Sequence, residues 1–75
     1  MKYNTKDIYL AATLLACDFL LIHVDKTEPK HMVFTFEESE KIKPIEEQYL
    51  NRKLLVEVSA FREALIRLKG IVHSS

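Results

Sequence analysis

Residues 19–37 read FLLIHVDKTEPKHMVFTFE and contain two runs of β-branched and aromatic residues separated by a short polar segment. Such residues favour strands, so the sequence predicts an antiparallel hairpin with strands at 19–25 and 31–37. Alternation places one set of apolar side chains on a common face: Leu20, Ile22, Val24, Met32, Phe34 and Phe36. Pairing 20 with 36, 22 with 34 and 24 with 32 aligns this set and leaves a loop of about five residues.

The opposite face of the predicted hairpin is also apolar, because it carries Phe19, Leu21 and Val33. An antiparallel sheet with one solvated face alternates cleanly between apolar and polar residues. The pattern therefore predicts that a second helix or another protein chain covers this face, and we expect Leu21 and Val33 to contact a partner. An unpaired edge of so small a sheet offers a further docking point by strand addition.

The rest of the chain predicts three helices and a third strand. They are a helix over 4–17 capped by Asn4 or Thr5, a helix over 38–50 (or one starting at Lys43 or Pro44, since proline suits only a first turn), a strand over 54–58, and a last helix capped by Ser59 and ended at Gly70. In the last helix Phe61, Leu65 and Leu68 form a stripe, expected to pack on Leu20, Ile22, Phe34 and Phe36. The predicted fold class is α+β. It is one small domain spanning 1–75, in the order α-β-β-α-β-α, with an antiparallel hairpin or three-stranded sheet packed with helices.

Size and composition exclude several classes of protein. The chain has 75 residues, 48% of them apolar, 11 basic and 11 acidic residues, and one cysteine. This composition excludes a disordered tail and an internal disulfide scaffold, and the single thiol favours the reducing cytoplasm. The apolar run 8–24 has Asp18 near its middle, so we expect no membrane insertion. A domain this small is marginally stable alone, which favours association with a partner.

The chemistry-bearing residues do not form a recognisable catalytic motif. His23 and His31, beside Asp25 on the predicted hairpin, are the pair to consider for Zn²⁺, with Cys17 and His73 as further ligands, but none stands at a metal-site spacing. Cys17 follows a helix C-terminus, where the dipole opposes a thiolate. We therefore predict no enzymatic activity, no cofactor, no metal site and no small-molecule substrate.

Basic residues are concentrated in the last third of the chain. They are Arg52, Lys53, Arg62, Arg67 and Lys69. Gathered on one edge, such side chains contact phosphates with a salt-dependent affinity. No aromatic side chains are interleaved with them to stack on bases. They are the candidate residues for nucleic-acid binding.

Four segments together resemble a known group of proteins: the opening TKDIYLAATLLA, the hairpin ending VFTFEES, the helix ending YLNRKLLVEV and the closing AFREALIRLKGIV. The chain is similar, over almost its whole length, to a family of small uncharacterised prokaryotic domains opening Thr-x-Asp-[Leu/Ile]-Tyr-Leu-Ala. It departs from that family at Cys17-Asp18, where members have a turn resembling Lys-Gly. The resemblance implies the order of elements and no activity.

The apolar residues on both faces of the predicted hairpin favour a non-catalytic protein-interaction module, either a homodimer or an accessory subunit of a larger cytoplasmic assembly. The alternative is a nucleic-acid-associated accessory protein that uses the basic C-terminal edge.

Overall fold

The computed structural model describes residues 1–28 and 30–73 and has an α+β architecture. The elements are β1 Lys2–Thr5, α1 Ile8–Ala16, β2 Leu21–Asp25, β3 Val33–Glu37, α2 Ile42–Leu50 and α3 Val58–His73. The predicted fold class is confirmed, but the order is β-α-β-β-α-α. The end of the predicted domain, Ser74 and Ser75, lies outside the described residues, as does Pro29 in the hairpin loop.

The sheet has three antiparallel strands in the order β1-β3-β2. The third strand is supplied by the N-terminus, where Tyr3 pairs with Phe36 and Thr5 with Phe34. The predicted strand at 54–58 was wrong, and so was the helix start at residue 4. Helix α1 begins after Asp7, whose Oδ1 accepts hydrogen bonds from the backbone N–H of Tyr9 (2.8 Å) and of Leu10 (3.3 Å). This cap leaves residues 2–5 extended and free to pair with β3.

The hairpin register differs from the predicted one. Leu21 lies opposite Phe36 and Val24 opposite Phe34, with a β-bulge between Leu21 and His23. The cause lies at the end of α1, where Asp18 adopts φ 69° and the N–H of Phe19 donates to the carbonyl of Leu14 at 3.0 Å. This is a Schellman turn, which folds the residue after the left-handed position back onto the helix. Phe19 is thereby directed to the core.

The hydrophobic core lies between the sheet and the helices α1 and α3. Its buried apolar residues are Leu10, Ala11, Ala12, Leu14, Phe34, Phe36, Ile42, Ala64 and Leu68. Phe61 and Leu65 are half-buried against this core, as the stripe in the last helix predicts. Two expected core residues are misplaced, because Leu20 is 65% exposed and Ile22 is 38% exposed. The bulge is the reason, since an extra residue in a strand reverses the faces beyond it.

The last two helices also differ from prediction in their ends. Helix α3 is capped by Glu57 rather than Ser59, because the carboxylate of Glu57 accepts the N–H of Ala60 and its carbonyl accepts the N–H of Phe61. Gly70 does not end the helix: it has no positive φ, and α3 continues to His73. Helix α2 begins at Ile42 rather than at residue 38, and it ends as predicted at Leu50, in a second Schellman turn with Arg52 at φ 59°. The residues between these two ends, 51–57, form a non-helical connection.

Candidate functional site

The apolar strip predicted at Phe19, Leu21 and Val33 does not exist as one surface. Phe19 and Leu21 are half-buried and pack against the core, so the expectation that they face away from it was wrong. Val33 lies on the opposite face of the sheet, paired with Asp25. The Schellman turn at Asp18 and the bulge in β2 separate residues that simple alternation groups together.

The face of the sheet turned away from the core is mixed in character. Leu20 precedes β2 and Ile22 lies in it, and both are exposed. Polar side chains occupy the neighbouring positions, and the hydroxyl of Thr35 donates to Oδ1 of Asn4 across the strands at 2.8 Å. Two exposed apolar residues among polar ones are ordinary on a protein surface. This face therefore carries a weaker interaction signal than the sequence predicts.

Three strongly exposed apolar side chains lie instead in residues 50–58, which we call the connecting segment. Leu50 is 69% exposed, Leu55 93% and Val58 78%, and all three lie within nine consecutive residues. Between them, Leu54 and Val56 are half-buried. The sequence predicted a strand over residues 54–58, and the structure has no strand there.

The backbone in the middle of this segment is unpaired. Within residues 1–28 and 30–73, no group of the chain hydrogen-bonds to the peptide N–H or C=O of Leu54, Leu55 or Val56. A run of residues with free backbone donors and acceptors is a template for pairing with a strand of another chain.

Both ends of the connecting segment are fixed by hydrogen bonds. Three residues after its first residue, Leu50, the N–H of Lys53 donates to the carbonyl of Gln48 at 2.9 Å, which completes the turn after α2. At its end the carboxylate of Glu57 caps α3, and the backbone N–H groups of Ala60 and then Ser59 lower the pKa of this carboxyl. The segment is therefore a short bridge between two ordered helix ends.

Helix α2 is itself held to the N-terminal part of the chain by two tyrosine–carboxylate hydrogen bonds. The hydroxyl of Tyr49 donates to Oδ2 of Asp7 at 2.7 Å, and that of Tyr3 donates to Oε2 of Glu46. Burial, followed by the bond to Asp7, raises the pKa of Tyr49 to about 12. Burial and then Glu46 raise the pKa of Tyr3 as well. These contacts position the start of the connecting segment relative to α1.

The five basic candidates are all exposed, but those in α3 do not share one face. At 3.6 residues per turn, Arg62 and Lys69 lie about 20° apart around the helix, whereas Arg67 lies about 140° from Arg62. Arg67 instead borders a shallow cleft of about 270 Å³ beside Asp18 and Glu63. Arg52 and Lys53 lie in the connection after α2. Of the three basic residues in α3, only Arg62 and Lys69 therefore lie on one face of the helix.

The histidine and cysteine candidates are not gathered into a site. No group of three or more metal-binding side chains is present among the residues that the structure describes. His23 and His31 are both exposed. Burial and then the neighbouring Asp18 raise the pKa of the Cys17 thiol, which opposes the thiolate that a nucleophile needs.

The described part of the chain contains no helix long and apolar enough to cross a membrane. Comparison with curated proteins gives no match, and comparison with solved structures gives none either. A family model does match, over residues 1–74, and its description is a domain of unknown function, DUF5659. This span takes in every helix and strand of the fold, including the connecting segment. The chain therefore belongs to the DUF5659 family.

Proposed function

We propose that this domain is a non-catalytic protein-interaction module and that the connecting segment, residues 50–58, is its contact surface. The observation that carries the proposal is the exposure of Leu50, Leu55 and Val58 in a chain of only 75 residues. Complete burial of one such side chain stabilises a protein by roughly 1.5–3 kcal/mol. In the isolated domain most of this stabilisation is unused at all three positions.

The size of the domain supports the same proposal. Small domains that lack a disulfide or a bound metal gain stability from association. This chain has a single cysteine, Cys17, so no internal disulfide can form. A contact through the connecting segment would add apolar burial next to the ends of α2 and α3. Exposed apolar side chains that cluster in one segment, unlike those scattered singly, are typical of binding surfaces.

The test compares two exposed apolar residues of similar character. Leu55→Lys introduces a charge into the connecting segment, and Ile66→Lys makes the same change on the outer face of α3, where Ile66 is also exposed. We expect both variants to keep the circular dichroism spectrum of the parent. Association, followed by sedimentation and by affinity capture from the host, should be lost in Leu55→Lys and retained in Ile66→Lys.

Equal association of the Leu55→Lys variant and the parent would contradict the proposal. Binding to generic DNA or RNA that weakens with salt and depends on Arg62 and Lys69 would favour the nucleic-acid alternative instead.

A further inference from the structure

The middle of the connecting segment is complementary to itself. Residues 53–57 read Lys-Leu-Leu-Val-Glu, with a basic residue at one end, an acidic residue at the other and three apolar residues between them. Two antiparallel copies centred on Leu55 place Lys53 of each chain opposite Glu57 of the other. The same register places Leu54 opposite Val56 and Leu55 opposite its own counterpart. Opposite charges and apolar pairs directly across strands are the stabilising combinations in antiparallel sheets.

The faces of the segment agree with this register. Leu54 and Val56 are half-buried, whereas Leu55 is almost wholly exposed. Alternation therefore gives the paired strands one face of Leu54 and Val56 residues and another face with the two Leu55 side chains in contact. In an antiparallel pair only alternate residues bond to the partner strand, and the free N–H and C=O groups of Leu54 and Val56 supply these hydrogen bonds.

The two edges of the existing sheet are less suitable for pairing with a second copy. Strand β2 is interrupted by its bulge between Leu21 and His23 and ends at Asp25. Strand β1 has only four residues and begins with Lys2. Short length, charge and bulges are the features by which edge strands resist pairing. The apolar centre of the connecting segment, residues 54–56, carries neither a charge nor a bulge.

We infer that the partner of the connecting segment is a second copy of this chain, bound by two-fold antiparallel pairing of residues 53–57 around Leu55. The inference rests on the proposed function, because it names the occupant of the same surface. It also places two cross-strand ion pairs, Lys53 with Glu57 and Glu57 with Lys53, at the ends of the paired strands. A two-fold interface of this kind is closed and stops at the dimer.

The first test is charge reversal measured by sedimentation equilibrium over a range of concentrations. Lys53→Glu turns both attractive pairs into repulsive ones while leaving the Glu57 cap of α3 in place. We expect the dimer dissociation constant to rise about tenfold or more, because each cross-strand pair changes sign. Lys69→Glu, the same charge change on exposed α3, should alter it by less than about twofold.

The second test is a disulfide cross-link in a Cys17→Ala background. Residues directly opposite in an antiparallel pair have Cα atoms about 4.5–5.5 Å apart, within the range that a disulfide spans. Leu55→Cys should therefore give a cross-linked dimer under mild oxidation. Ile66→Cys, exposed on the outer face of α3 and outside the connecting segment, should give far less.

A parent chain that stays monomeric at every concentration overturns the inference, and so does a Leu55→Cys variant that cross-links no better than the Ile66→Cys variant. Such a result leaves the proposed function standing if Leu55→Lys still abolishes capture of a different protein. If Leu55→Lys changes no association at all, the proposed function fails together with the inference.

Discussion

Replacing Leu21 and Leu20 in turn by alanine tests the position of the bulge in β2. The two leucines are adjacent and chemically identical, yet Leu21 packs against the core while Leu20 is 65% exposed. Strict alternation along the hairpin predicts the reverse. The larger loss of stability should therefore follow truncation of Leu21.

The expected magnitudes follow from the burial of each side chain. Truncating a buried leucine costs about 2–5 kcal/mol, and the half-buried Leu21 belongs at the lower end, about 2 kcal/mol. About a third of Leu20 is covered, which gives roughly 0.5 kcal/mol. A domain of this length has a total stability of roughly 4–11 kcal/mol, so the first change is a large share of it.

Urea unfolding followed by circular dichroism measures both values. In thermal unfolding, the Leu21→Ala variant should melt about 8–16 °C below the parent and the Leu20→Ala variant about 2–4 °C below it. A greater loss from Leu20→Ala than from Leu21→Ala would refute the bulged register. Leu14→Ala, at a fully buried position in α1, gives the largest loss expected for a leucine of this domain.

Three other predictions concern the turns and hydrogen bonds around the connecting segment. Arg52→Gly should raise the free energy of unfolding by about 0.5–1 kcal/mol, and with it the urea midpoint, because the left-handed φ of 59° is strained for arginine. An unchanged or lower midpoint would contradict this. The pKa of Glu57 is lowered in the folded state, so its stabilising contribution is present above the unfolded pKa and is lost as pH falls through the folded pKa. Glu57→Gln should therefore make the free energy of unfolding less dependent on pH in that acidic range. An unaltered pH dependence would count against the cap. The pKa of Tyr49 is raised to about 12, so its stabilising contribution is present below the ordinary value of 10 and is lost as pH rises towards 12. In the Tyr49→Phe variant the free energy of unfolding should therefore fall less between pH 10 and 12 than in the parent. A pH profile identical to the parent's would argue against the bond to Asp7.

Local sequence pattern predicted the elements whose signals are strong. The hairpin, the second helix and the apolar stripe of the last helix all appear in the structure, because β-branched and aromatic residues mark the strands and a helical spacing of apolar residues marks the helices. The short strand at Lys2–Thr5 was missed, since four residues with little apolar content give no periodic signal. Its pairing with β3 is a tertiary effect, made available by the cap at Asp7.

The candidate site was harder to predict than the fold. One left-handed residue, Asp18, and one bulge decide which of Leu20, Leu21 and Ile22 face the core, and neither is encoded by alternation. The apolar residues at 54–58 were recognised as strand-forming, but whether they pair inside the domain depends on contacts far away in the sequence. Their exposure could be found only from the structure.

Amide hydrogen exchange at Leu54, Leu55 and Val56 is the most direct test of whether the connecting segment is a contact surface for a second copy. In the isolated domain these N–H groups make no hydrogen bond to any residue that the structure describes, so they should exchange rapidly in dilute solution. Pairing of residues 53–57 predicts that alternate amides among them become protected as the chain concentration rises, and that Leu55→Lys removes this protection. Exchange that is equally fast at every concentration would contradict the account.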